Sequence, residues 1–563
     1  MNVITVLVNL VWRPGSLQKR LKDNFAVSIA SFFLLAILMS SCTTSGYWIP
    51  PNQTSASAGE IDYLFSSPEP TQLAELDSSP QTENTALASE TSGSGTTFTL
   101  EGQATPTAPT SPQAHDTATP APVNSAPILY YSQAADTLPV VAVRFGVAPE
   151  EITSPEPLPE HELLPPNQLL IIPRNLANTT SSQRILPDSE LVYSPSATDF
   201  DIDSYVANAG GYLSRHKEWF QSTGTLTGAQ IIKRVAIENS INPRLLLALL
   251  EFQSGWVFGE PTTLADSEYP LGHINLVEKG LFRQLVWAVN HLSVGYYSWR
   301  EGRLIDLNFS DGISARLAPD LNAGSVALHY YFAQIYDGEH WVYALDLENG
   351  FPALYEEMFG TPWGRAQSVE PLYPPGLKQP QLILPFDMER LWSYTGGPHG
   401  AWERDGSYAA VDFAPASSES GCQDSNAWVT ASASGLVVRS GKGVVVLDLD
   451  GDGLEQTGWV ILYLHVSKDS SVPVGTWVNV GDHLGHPSCE GGMATGTHVH
   501  IARKYNGEWI AADGPMPFVL SGWQVHAGEK AYLGTLTRGS ETIPACTCGS
   551  YETRIMRMPD DPY

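Results

Sequence analysis

Residues 43 to 127 contain no lysine or arginine and consist largely of Ser, Thr, Pro, Ala and Gly. So few large apolar side chains cannot bury enough area to offset the entropy of ordering, so the stretch reads as a disordered stalk. Between Gly102 and Pro127 it is especially rich in Thr, Pro and Ala, and proline both extends and stiffens such a chain. The stalk withdraws itself from any core. The remainder of this 563-residue chain is still too long for one core and must divide into domains.

Ahead of the stalk, Arg13, Lys19, Arg20 and Lys22 precede an apolar run from Phe25 to Met39, interrupted by Ser28 and Ser31, and then Ser40-Ser41-Cys42. A basic start, a short apolar run and small residues before a cysteine describe a secretory signal of the bacterial lipoprotein kind over residues 1–42. Cys42 would carry the lipid and hold an exported protein on the outer or cell-envelope face of the membrane. An uncleaved N-terminal anchor is the other reading. The balance of 30 Lys and Arg against 60 Asp and Glu, formally −30, argues against a general nucleic-acid binder, which needs a basic face.

Residues 128–175 read as strand, helix, short helix and strand: Ile128-Leu129-Tyr130-Tyr131, Val140 to Phe145, a short helix starting near Pro149-Glu150-Glu151-Ile152, and Leu169-Leu170-Ile171-Ile172-Pro173. With Asp136-Thr137-Leu138 and Arg144-Phe145-Gly146-Val147, this βααβ unit resembles a LysM domain, which implies binding to the glycan strands of peptidoglycan or chitin. Ala135 replaces the glycine usual before Asp136, and a non-binding spacer is the alternative. Residues 200–368 read as α-helical. Their Asn242-Pro243-Arg244-Leu245 run, with Gln253-Ser254-Gly255-Trp256 after it, resembles lysozyme-like transglycosylases. That family places a glutamic acid directly before the serine as general acid. Gln253 cannot donate a proton in that way, so a degenerate glycan-binding or scaffold unit is expected. Glu238, Glu251 and Glu260 are the remaining acids near it.

Past a proline-rich linker, residues 369–385, the pattern shortens to apolar, glycine-punctuated runs over residues 386–535, an antiparallel all-β domain, with a Cys-containing tail at 536–563. In Gly496-Thr497-His498-Val499-His500 two imidazoles sit one residue apart, and on a strand such residues share a face. Upstream stand Tyr463-Leu464-His465-Val466, Asp412 in an apolar run, and His399 in Gly396-Gly397-Pro398-His399-Gly400. Imidazole and carboxylate are good zinc ligands, and a catalytic zinc takes three of them beside a water. Two further histidines can then move protons.

These motifs, in this order, resemble the M23 (lysostaphin-like) zinc endopeptidases, which cut peptide cross-links of peptidoglycan. The resemblance implies His500 and Asp412 as zinc ligands and His465 and His498 as the catalytic pair. It also implies that Val474 to Val478 and Val480 to Gly485 form paired hairpin strands. Its first ligand ordinarily lies four residues before the aspartate, where this chain has Tyr408. His399 is expected to replace it, the alternative being a surface histidine and a site short of one ligand. Cys422 and Cys489, in loop-like insertions flanking the site, are expected to form a disulfide; Cys546 and Cys548 are not assigned. Asp448, Asp450 and Asp452 look like the start of a calcium loop, but Trp459 stands where its final glutamate belongs.

Three functions are compatible with these residues. The first is a surface-anchored zinc endopeptidase acting on peptidoglycan. The second is an inactive M23-like wall binder or amidase activator. The third is a glycan-cleaving enzyme working through the helical region, which Gln253 disfavours.

Overall fold

The computed structural model describes residues 126–562, apart from residue 403 and residues 418–420. The basic head, Cys42 and nearly all of the stalk lie outside the described residues. Among the described residues, no helix is long and apolar enough to cross a membrane.

The first unit pairs β1 (Ile128–Tyr131) with β2 (Leu169–Ile172) antiparallel around α1 (Leu138–Phe145). A single 3₁₀ turn, Pro149–Glu151, stands where a second helix was expected. The unit is docked rather than free. Arg144, ion-paired to Asp136 at 2.7 Å, also donates to the Trp299 carbonyl at 2.8 Å in the helical region.

In that region α2 (Gly228–Asn239) opens on a capping box of Thr227 with Gln230, and α3 (Pro243–Ser254) has proline in its first turn and Gly255 left-handed at its end. The longest helix among the described residues, α4 (Leu281–Arg300), starts without a side-chain cap of its own. Its first amides, Leu281 and Phe282, instead donate to the distant Glu218 carboxylate. It packs on α5 (Ala323–Ala333), where Gly295 lies so near the Ala327 backbone that a β-carbon would meet its Cα at 2.8 Å.

The C-terminal region is built on a nine-stranded antiparallel sheet. Its strands include β3 (Leu391–His399), β4 (Ala410–Pro415), β5 (Gly435–Gly441), β6 (Gly443–Asp448), β7 (Trp459–Val466), β8 (Trp477–Val478) and β9 (Val499–Tyr505). They lie in the order β8-β5-β6-β7-β9-β4-β3. The expected hairpin after β7 is not formed. Trp477–Val478 pairs with Gly435–Leu436, while His483–Gly485 pairs with Val429–Thr430.

Both faces of the sheet are covered, which explains strands such as Val444-Val445-Val446 that are apolar without alternation. Val445, Leu447, Ile461, Tyr463, Ile501 and Phe413 point into a core of the β region alone. Val444, Val446, Val460, Leu462, Leu464 and Ala502 join the core of the helical region. Each buried valine, leucine or isoleucine among them contributes about 1.5–3 kcal/mol. A buried ionic cluster ties the same contact: Arg300 lies 3.0 Å from Asp188 and 3.2 Å from Glu508, and Tyr296 donates to Glu508 at 2.9 Å. The proline-rich segment 369–385 is irregular but seated, with Leu372, Leu382 and Leu384 buried and the Leu384 amide on Ser521 Oγ at 3.1 Å.

Candidate metal centre

Register brings the site together. Leu464 of β7 faces His500 of β9, and His500 faces Asp412 of β4, so residues far apart in sequence fall on one row. Residues 498, 500 and 502 share the face that the helical region covers beyond the site. β3 reaches the row through two register shifts, one between Tyr394 and Gly396 and one between Gly396 and His399. Those shifts set His399 beside Ala410 and Gly396 beside Asp412. Gly396 is required there, because a β-carbon would lie 2.4 Å from Asp412 Oδ2.

His465 reaches the site by a different device. Strand alternation would send it into the β core with Tyr463, since Leu464 already occupies the row of His500. Instead its backbone is left-handed, φ 64°, a conformation that costs a residue with a β-carbon about 1–2 kcal/mol. The ring is thereby turned to lie 4.4 Å, centroid to centroid, from that of His498.

The hydrogen bonds assign the ring nitrogens. A carbonyl can only accept, so the nitrogen facing it carries the proton. His399 donates from Nδ1 to the Gly397 carbonyl at 2.8 Å, and His500 from Nε2 to the Ala401 carbonyl at 3.0 Å. The remaining nitrogens, His399 Nε2 and His500 Nδ1, face each other at 3.0 Å, and Asp412 Oδ1 lies 3.3 Å and 3.2 Å from them. Asp412 Oδ1 is buried and accepts no well-formed hydrogen bond. Two imidazole nitrogens and a carboxylate aimed at one another repel unless a proton or a metal cation lies between them. The three donor atoms lie within 4.8 Å of one another, which suits a divalent cation such as Zn²⁺.

The protein holds charge at this point by opposing burial. Burial pushes the Asp412 carboxyl up, but His399 and His498 outweigh it and hold it well below the ordinary range. Burial likewise works against a charged His399, yet the Asp412 carboxylate raises its pKa. His500 is lowered, chiefly by burial. His465 is pushed down to about 3 by burial and then by His498 and His500, so it is neutral. It donates from Nδ1 to the Glu490 carbonyl at 2.8 Å, and His498 donates from Nδ1 to the Gly496 carbonyl at 2.7 Å. The neutral His465 therefore keeps Nε2 as a proton acceptor, and His498 turns its Nε2 towards Asp412 Oδ1, 3.9 Å away.

One neighbour was not anticipated. Tyr532 stacks on the His399 ring at 4.1 Å, and its backbone is pinned to that of Gly397 and Pro398. Nothing in its local sequence marks it, because it comes from a turn in another sheet. Tyr408 lies against Arg303, its ring 5.7 Å from the guanidinium carbon. His483 stacks on Trp428 at 4.4 Å, and the His486 ring lies tilted against the same indole at 3.8 Å. Cys422 is bonded to Cys489, and Cys546 to Cys548. Asp448, Asp450 and Asp452 also cluster, but Asp448 accepts from the amides of Asp450, Gly451 and Gly453, and Asp452 from that of Leu454. Those carboxylates cap their own turn.

The acids of the helical region are engaged structurally. Glu251 accepts from the amides of Val257 and Phe258 at 2.9 and 3.0 Å, Glu238 pairs with Arg234, and Glu260 with Arg215. Gln253 accepts from Tyr336 Oη at 2.8 Å.

Three protein donors meeting at a buried point, with two more imidazoles beside them, define a candidate mononuclear metal centre on an antiparallel sheet. Comparison with known proteins places relatives beside it. A family model described as LasA, N-terminal domain, matches residues 184–372, the helical region. The chain is 26% identical to Protease LasA of Pseudomonas aeruginosa over 344 residues, which is 58% of this chain and 75% of that protein. Among solved structures, a metalloprotease titled "A Novel M23 Metalloprotease Pseudoalterin from Deep-sea" is 23% identical, with 30% of this chain and 96% of that one covered and a TM-score of 0.26. The catalytic domain of lysostaphin from Staphylococcus simulans is 25% identical, with 22% of this chain and 87% of that one covered and a TM-score of 0.16.

Proposed function

We propose that the chain is an exported zinc endopeptidase that hydrolyses peptide cross-links of peptidoglycan. The convergence of His399, Asp412 and His500, with His465 and His498 alongside, carries this reading. The similarity to Protease LasA supports a peptidase. Disulfides persist in oxidising compartments, so the Cys422–Cys489 bond supports export, and Cys42 is the proposed point of lipid attachment.

His399, Asp412 and His500 would hold the zinc. When bound, such an ion supplies Lewis acidity and makes a water acidic enough to ionise near neutrality. The chain's own residues do the rest. The carbonyls of Gly397 and Ala401 orient the two ligand rings. His498, whose side chain is 17% exposed, is placed to exchange a proton at Nε2 with solvent and with the leaving amine. His465, buried and neutral, offers Nε2 as a fixed acceptor beside it. The LysM-like unit and the helical region would hold the enzyme on glycan.

The test is zinc analysis of the purified full chain, with assay of new amino groups released from cell wall. About one zinc per chain and release of amines are expected. A chain that holds no zinc and releases none is a wall binder instead.

A further inference from the structure

The two imidazoles outside the ligand set are each oriented by a backbone carbonyl, and both carbonyls belong to the loop 489–497, which one disulfide ties to the loop carrying Cys422. Glu490, whose carbonyl receives the His465 Nδ1 proton, directly follows Cys489. Its amide donates to Ser488 Oγ at 3.0 Å, and the Ser488 amide donates back to the His465 carbonyl at 2.7 Å. This loop therefore closes on the residue that it orients.

The second carbonyl is held from the other side of the bond. Gly496, which receives the His498 Nδ1 proton, precedes Thr497. Thr497 is fastened to both neighbours of Cys422. Its amide donates to the Gly421 carbonyl at 3.1 Å, its hydroxyl to the Gln423 carbonyl at 2.6 Å, and the Gln423 amide donates to that hydroxyl at 2.8 Å. Thus Cys489 adjoins the acceptor for one ring, and Cys422 sits between the anchors of the acceptor for the other.

The ligand rings depend on neither loop. His399 and His500 are oriented by Gly397 and Ala401, and Asp412 and His500 sit on paired strands. His465, by contrast, holds a left-handed backbone that regular strand pairing does not enforce. We infer that the Cys422–Cys489 disulfide is a positioning element for the proton-transferring pair, fixing the Nδ1-protonated tautomers of His465 and His498 without contributing to the metal ligands.

This rests on the peptidase reading, and the experiment separates the two. The full chain is loaded with zinc and compared with its Cys422→Ser/Cys489→Ser double variant. Three quantities are read: bound zinc, kcat and KM on a cross-linked wall peptide, and the imidazole tautomers by ¹⁵N NMR of histidine-labelled protein. Zinc should stay at its starting stoichiometry and KM within about twofold, while kcat falls by about 10- to 100-fold, the range seen when outer partners of a metal site are removed. The Nδ1–H signals of His465 and His498 should be lost or broadened, and those of His399 and His500 retained.

Unchanged kcat with unchanged tautomers overturns the inference. So does zinc lost in parallel with kcat, which would make the bond a general staple. Should the double variant not fold, the folded native chain is reduced with the non-thiol reductant tris(2-carboxyethyl)phosphine, which leaves the zinc readout uncompromised, and is read in the same way. A Cys546→Ser/Cys548→Ser variant then serves as the untreated control for the other bond. If the native chain neither binds zinc nor cleaves peptide, the peptidase reading fails. The tautomers still report on the disulfide.

Discussion

The helical region and the sheet treat their polar side chains in opposite ways. Each acid that could serve glycan cleavage in the helical region is spent on a neighbour: Glu251 on two amides, Glu238 and Glu260 on arginines. In the sheet, His399 Nε2, His500 Nδ1 and Asp412 Oδ1 face one another, and Asp412 Oδ1 accepts no well-formed hydrogen bond. Satisfied groups hold a fold. Groups that converge on one point and need a proton or a cation between them are arranged for something else, and the contrast separates scaffold from site more sharply than burial does.

The largest expected effect tests the sheet side of that contrast. Asp412→Ala should reduce both bound zinc and peptide hydrolysis to background, measured by metal analysis and amine release. Retained zinc would show that the three donors are not a ligand set. His498→Ala should keep the zinc yet lower kcat by about 10²- to 10⁴-fold, the usual contribution of a general acid or base. Loss of metal in that variant would merge the two roles that the geometry divides.

The seam between the regions comes next. Glu508→Ala leaves Asp188 as the one carboxylate paired with Arg300 and strips the buried Tyr296 hydroxyl of its acceptor, so urea unfolding should register a loss of about 1–3 kcal/mol. Glu370, beside Asp188, is pushed up to about 7, by burial first. The fold therefore favours its protonated form. That stabilisation is complete below the ordinary carboxylate range and disappears as pH rises through about 7. Glu370→Gln should leave stability near pH 4 unchanged and raise it near pH 8 by about 1–3 kcal/mol, read from melts at both values. The smallest effect belongs to Glu251→Gln. One weakened cap should cost about 1 kcal/mol and leave wall hydrolysis untouched. Loss of reducing-end release in that variant would break the comparison and return a glycosidase to the helical region.

Much of the site was legible because strand periodicity is simple. His498 and His500 share a face by spacing alone, and Asp412 and His465 stand in short apolar runs of the β-rich region. His399 was expected from its nearness to Asp412 in sequence, but the way it reaches the site was not legible. Two register shifts in β3 set it beside the aspartate, and no spacing rule encodes a bulge. His465 reaches the site against the alternation of its own strand, through a backbone torsion that the sequence does not announce. The pairing of Val474 to Gly485 failed for a related reason. Adjacent short runs look like a hairpin, yet each found a longer partner elsewhere. Nor did any pattern show that the helical region shares a core with the sheet, because runs buried on one face or on both are equally apolar there.

The row from Leu464 through His500 to Asp412 spans three strands, and rows do not slide by fractions. A slip of one residue in β9 would turn both histidines into the β core and bring Val499 and Ile501 out in their place. Such a site has no half-assembled form. Amide hydrogens of β7, β9 and β4 should exchange only with opening of the whole sheet, and binding competence should vanish in a single step at that same opening. Below the temperature at which those hydrogens begin to exchange, heat should leave the affinity for metal nearly constant.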